Sequence, residues 1–179
     1  MLQVTIEPIR LFNESDSTFV MSKEYKLTLE HSLISLARWE SKWHKPFLTK
    51  IAKSEEETID YIRCMTINKD VDPIAYSFIS KKLIGEVNSY IQDPMTATTY
   101  TKEPSKGIGE TITAELIYFW MINHSVPFEC EKWHLNRLLT LINVCSIKTK
   151  PKKKMNQRDL MARNRALNEK RRLELNSTG

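Results

Sequence analysis

The chain has 179 residues, 41% of them hydrophobic and 27% charged, with 27 Lys and Arg against 22 Asp and Glu for a net charge of +5. That length and balance suit one core-forming domain plus an appendage, and they exclude a collagen-like class. No apolar run approaches a membrane span, the longest being Leu116-Ile-Tyr-Phe-Trp-Met-Ile122.

The amino end, Met1-Leu2-Gln3-Val4, lacks the charged-then-apolar order of a secretory signal, so none is expected. Leu2, Val4 and Ile6 alternate with polar residues, the period of a half-buried strand, and Pro8 ends that run. A polar cluster over 13–18 reads as a turn, and Lys26-Leu-Thr-Leu-Glu30 alternates again. Residues 1–31 are therefore expected to form a small antiparallel sheet of two to four strands.

From Ser32 the period becomes helical, with Leu33, Leu36, Ala37 and Trp43 on one face and Pro46 as the stop. Ser54-Glu-Glu-Glu57 is a capping box opening a second helix with Ile59, Ile62 and Met65. Asp72-Pro73 predicts a further helix start. Leu83, Ile84, Val87, Tyr90 and Ile91 form an amphipathic stripe, ended by Asp93-Pro94. Met95 to Gly109 reads as a loop or hinge. Two helices are then expected, one from about Glu110 to His124 containing Ile112, Leu116, Phe119 and Trp120. The other runs from about Phe128 to Cys145, with Leu135, Leu138, Leu139 and Ile142 on one face. Val126-Pro127 between them predicts an antiparallel hairpin. No internal repeat stands out. The fold class is α+β: a small N-terminal antiparallel β-sheet, a mainly α-helical body over 32–147, and a basic helical or flexible arm over 148–179.

Charge is divided unevenly. Residues 148–179 hold eleven Lys and Arg against three Asp and Glu, a balance of +8, whereas the first 147 residues carry −3. Such an arm binds nucleic acid or an acidic protein face, or stays solvated. The helices over 110–145 are nearly neutral, with Glu129 and Glu131 offsetting Lys132 and Arg137. They make poor groove readers, so nucleic acid is not the expected partner.

Three cysteines, Cys64, Cys130 and Cys145, at irregular spacing suit reduced thiols. Cys130 and His134 are four apart, but no C-x-x-C pair accompanies them, and a buried thiol beside a surface His is the simpler reading. Nucleophile elbow, phosphate loop and H-E-x-x-H are all lacking, so neither enzyme activity nor a metal or cofactor is expected. Trp39, Trp43, Phe47, Trp120, Phe128 and Trp133 are mostly expected in the core. Trp39 and Trp43, four apart among charged residues, suit either core packing or a protein contact.

Four runs carry a resemblance: Leu29-Glu-His-Ser-Leu-Ile-Ser-Leu-Ala-Arg-Trp-Glu-Ser-Lys-Trp-His-Lys-Pro-Phe47, Pro94-Met-Thr-Ala-Thr-Thr-Tyr100, Ile112-Thr-Ala-Glu-Leu-Ile-Tyr-Phe-Trp-Met121, and Pro127-Phe-Glu-Cys-Glu-Lys-Trp-His-Leu-Asn-Arg-Leu-Leu-Thr-Leu-Ile142. They resemble a family encoded in the tail-gene cluster of tailed bacteriophages, most closely the tail assembly chaperones of long-tailed phages. The resemblance implies a non-catalytic protein of the host cytoplasm that binds the tape-measure protein and helps deliver tail-tube subunits, with self-association as a further possibility. On that footing the expected contact residues are Trp39, Trp43, Phe47 and Trp133, with Lys152, Lys153, Lys154, Arg171 and Arg172 holding acidic stretches of the client. The alternatives are a structural virion component (tail-completion or connector protein) and a nucleic-acid-binding protein acting through the arm.

Overall fold

A computed structural model describes residues 1–13, 17–98, 111–149 and 156–175. The chain divides into two compact units, Met1–Ile147 and Lys148–Gly179, so the N-terminal strands belong to the same unit as the helices that follow.

The fold is α+β. Strand β1 (Leu2–Ile6) pairs antiparallel with β4 (Tyr25–Leu29), Val4 lying opposite Leu27, and both strands bury alternate residues. The intervening chain forms a separate antiparallel ribbon of β2 (Arg10–Asn13) and β3 (Thr18–Met21). Pro8, which has no N–H for a ladder, falls at the break. The Ser22 N–H donates to the Ile9 carbonyl oxygen at 2.8 Å, while Ser22 Oγ accepts the Ile9 N–H at 2.7 Å. Beyond β4, the Glu30 N–H reaches the Met65 carbonyl oxygen at 2.9 Å and the Ile67 N–H reaches that of Thr28 at 2.9 Å. The segment after the second helix thus closes over the sheet edge.

Helix α1 (Leu33–Trp43) opens on a capping box of Ser32 and Ser35 and ends at His44 in the left-handed region, φ 53°. Helix α2 (Glu55–Met65) opens on the capping box of Ser54 and Glu57 and packs on α1. Asp72-Pro73 starts only a 3-10 turn, Pro73–Phe78; the α-helix that follows, α3 (Lys81–Gln92), has its own cap in Ser80. Helix α4 (Ala114–Asn123) is capped by Thr113. The loop expected over Met95–Gly109 is described to residue 98, and 99–110 lie outside the described residues.

The second helix of the expected hairpin is divided. Phe128–Lys132 is a 3-10 turn, Trp133 and His134 are extended, and α5 runs from Leu135 to Thr149. The cause is a tertiary tie, since Ser32 and His134 form an antiparallel bridge and the Leu135 N–H donates to the His31 carbonyl oxygen at 2.7 Å. An α-helix through 133–135 would forfeit both. Helix α4 finds its main packing partner in α1, so the pair expected as a helical hairpin is arranged otherwise.

One apolar core joins β1, β4 and helices α1–α5. Its centre is aromatic, with Phe47 stacked on Tyr61 at 3.8 Å and set edge-on to Trp39 at 5.0 Å. The arm contains α6 (Gln157–Leu175), every described side chain of which is exposed. No helix among the described residues is long and apolar enough to cross a membrane.

Candidate functional site

Of the residues expected to meet a partner, Trp39, Trp43 and Phe47 lie together, with ring centroids 6.1 Å apart for Trp39 and Trp43 and 5.0 Å apart for Trp39 and Phe47. Trp39 is 1% exposed, and its indole N–H donates to the Glu57 carbonyl oxygen at 2.9 Å. Phe47 is also buried, between Trp39 and Tyr61. Both are core residues that determine the fold and not contact residues. Trp43, one helical turn beyond Trp39, is half-buried. Its indole N–H donates to Asp60 Oδ2 at 2.9 Å, and Lys42 pairs with the same carboxylate. Burial pushes the Asp60 carboxyl up, but the Lys42 ammonium and the Trp43 indole outweigh it and hold the group low. Trp43 therefore borders a shallow depression of about 410 Å³ between α1 and α2 with its ring already fixed. Trp133 is half-buried under the Arg137 guanidinium, 4.2 Å from its centroid. Arg171 and Arg172 are exposed on α6; Lys152, Lys153 and Lys154 lie outside the described residues.

The buried polar groups knit elements together. His31 Nδ1 meets the Tyr61 hydroxyl at 2.6 Å, and the His31 ring stands edge-on to His134 at 5.2 Å. His134 Nε2–H donates to the Tyr90 carbonyl oxygen at 3.1 Å while Nδ1 accepts the Asn136 N–H at 3.3 Å, which fixes its tautomer. Burial, aided by His134, holds the His31 imidazole down to about 3, so the pair is neutral at pH 7. The Tyr90 hydroxyl donates to Glu30 at 2.7 Å. Glu40 is buried and accepts two backbone N–H groups, Phe47 on Oε1 and Ala114 on Oε2, each at 2.7 Å. It thereby joins α1, the segment after it and the first turn of α4. Burial raises the Cys64 and Cys130 thiols, the opposite of nucleophilic activation. Among the described residues no group of three or more His, Cys, Asp or Glu is arranged to hold a metal ion.

The strongest surface feature is α4. Its sequence, Ala-Glu-Leu-Ile-Tyr-Phe-Trp-Met-Ile-Asn, is apolar on nearly every side, a composition that belongs to a fully buried helix. Yet only Ala114, Ile117 and Met121 are buried, while Phe119 is 59% and Ile122 63% exposed. Leu116, Tyr118 and Trp120 are half-buried beside them. Phe128, expected in the core, is 54% exposed, and its ring lies 6.4 Å from that of Tyr118. The Tyr118 hydroxyl donates to Glu131 at 2.8 Å, fastening α4 to the following 3-10 turn; burial and that carboxylate push the phenol up to about 12. The result is an apolar ridge of Phe119, Ile122 and Phe128 with Glu115, Glu129 and Glu131 close by in the chain.

No family model, curated protein or solved structure matches the chain. The functional reading therefore rests on the residues and their arrangement.

Proposed function

We propose that the protein is a non-catalytic binding protein of phage tail morphogenesis, a tail assembly chaperone that shelters the tape-measure protein in the host cytoplasm. The observation that carries this reading is the apolar outer face of α4. A tape-measure chain is helical and presents apolar stripes until the tube encloses it, and an exposed apolar helix face is the complement of such a stripe. Phe119, Ile122 and Phe128 together offer about 300 Å² of apolar side chain, worth about 7 kcal/mol gross when buried. Association itself costs about 4–15 kcal/mol, so this patch alone supports a weak, reversible grip. Reversibility is what a holdase requires, because the client must pass on to the tube.

The test is co-expression with the tape-measure and tail-tube proteins of the same tail-gene cluster, followed by pull-down. The expected result is a soluble complex with one of them, lost in the double variant Phe119→Asp/Ile122→Asp while the circular dichroism is unchanged. Recovery of neither client, or full retention by the variant, overturns the reading. A structural role in the particle is the second reading, favoured by the separate β2–β3 ribbon, on which Met21 is 60% exposed and the Phe19 ring lies under the Arg10 guanidinium at 4.1 Å. Mass spectrometry of purified particles separates the two, since a connector is present at fixed copy number and a chaperone is missing.

A further inference from the structure

Helix α6 carries a partial seven-residue recurrence. Arg158, Arg165 and Arg172 recur at that step, as do Leu160 with Leu167 and Arg163 with Lys170. Seven residues advance an α-helix about 10.5 Å and almost two whole turns, so each set forms a stripe along one side. Advancing about 100° per residue places the leucine stripe between Arg163 and Lys170 on one flank and Asn164 and Arg171 on the other. The Arg158-Arg165-Arg172 stripe falls on the far side, about 160° away, which separates Arg172 from Arg171, the other arginine of α6 expected to contact a partner. Leu160 and Leu167 are both exposed.

We propose that the leucine side of α6 pairs with an acidic amphipathic helix of a partner protein, one that carries apolar residues and carboxylates at the same seven-residue step. The proposal stands on α6 alone, apart from the reading of α4. Two leucines seven residues apart, with Arg163 and Lys170 three positions beyond each and Arg171 four beyond the second, make a short seam in which the flanks choose the partner. Charge then settles the occupant. A second copy of α6 would set Arg163, Lys170 and Arg171 against their own like charges across a seam of only two leucines. A nucleic acid would make no use of the leucines. It would also meet Glu169 on the arginine side, whereas Glu174, the next position of the leucine stripe, is paired with Lys170 at 3.9 Å. A helix bearing Glu or Asp beside its own apolar stripe satisfies the seam and both flanks at once.

The experiment uses the full chain and a labelled three-heptad peptide with Leu at one position and Glu three and four residues later. A scrambled peptide of the same composition and a short DNA duplex serve as rivals in the anisotropy measurement. The heptad peptide is expected to bind about ten-fold or more tighter than either rival. The triple variant Arg163→Glu/Lys170→Glu/Arg171→Glu should lose about ten-fold in affinity for it, while Arg158→Glu/Arg165→Glu/Arg172→Glu, an identical change in net charge, should lose less than about three-fold. Leu160→Asn/Leu167→Asn, which alters no charge, should weaken the peptide and leave the duplex unaffected, with helicity followed by circular dichroism in every variant. Equal binding of the scrambled peptide, tighter binding of the duplex, equal losses in the two charge triples, or a dimer abolished by the first triple would each overturn the proposal.

Discussion

The Glu40 carboxylate offers the sharpest quantitative test of how the body is held. Both of its oxygens accept backbone N–H groups far apart in sequence, from Phe47 and from Ala114, each at 2.7 Å, and the side chain is buried. A hydrogen bond to a charged group contributes about 1.5–3 kcal/mol, and a buried donor stripped of its partner carries a desolvation penalty of similar size. Glu40→Ala removes two such bonds together and strands two N–H groups, so the expected loss is about 3–5 kcal/mol. For a body of this size that corresponds to a fall in Tm of about 10 °C. Glu40→Gln is the more discriminating change. Its amide offers one carbonyl oxygen, so its NH2 must face the second backbone N–H, and the loss should be about 2–3 kcal/mol despite near-identical shape.

Urea unfolding measures the loss as a shift of midpoint at unchanged slope. Hydrogen exchange adds the local test, because the Phe47 and Ala114 amides should lose protection beyond the global change in both variants. A loss below about 1 kcal/mol for Glu40→Ala, or wild-type stability for Glu40→Gln, would refute the clamp.

Trp39→Ala should cost about 3–5 kcal/mol, whereas Trp43→Phe should cost under about 1.5 kcal/mol, and urea midpoints compare them directly. Ser54→Ala removes the N-cap of α2 and should cost about 1 kcal/mol by the same measurement. Phe119→Asp changes an exposed position and should alter the midpoint by less than about 0.5 kcal/mol, so any loss of client is a loss of contact. For pH, the His31 imidazole titrates near 6.5 in the unfolded chain and about 3 in the folded one. The unfolded state holds the extra proton between those values, so stability is full above pH 6.5 and declines at about 1.4 kcal/mol per unit on the way down to 3. Unfolding at pH 7 and pH 5 should differ by about 2 kcal/mol, and His31→Gln should remove at least half of that difference.

Some of this architecture can be read directly from local pattern. The alternation of Val4 with Ile6 and of Leu27 with Leu29 gives two strands whose buried residues match, because a strand's side chains alternate faces whatever lies around it. Ser54 with Glu57 marks the start of α2 because the capping box is closed within four residues. The division of 128–149 has no such local sign. Its cause is a bridge from His134 to Ser32, about a hundred residues away, and nothing in the periodicity of Leu135, Leu138 and Ile142 announces it. The heptad of α6 escapes a search for apolar periodicity because its most regular member is arginine.

The face of α4 shows a different obstacle. Periodicity tells buried from exposed only when a helix has a polar side, and Leu116 through Ile122 contains none. The sequence therefore predicts a helix there without saying which way it turns, and the apparent stripe of Leu116, Phe119 and Trp120 faces away from the buried stripe of Ala114, Ile117 and Met121. What selects the observed rotation is visible at the first turn and in the middle of the helix. The Glu40 carboxylate accepts the first amide, Ala114, and the Tyr118 hydroxyl donates to Glu131 on the following turn. With these two points fixed, Ile117 and Met121 are drawn inward and Phe119 and Ile122 remain outside. The apolar residues are thus held by two hydrogen bonds from α4, which for the proposed contact reduces the ordering entropy lost on binding. It follows that loosening the Glu40 clamp should weaken client capture even though Glu40 itself is buried, by letting α4 rotate its apolar ridge back toward the core.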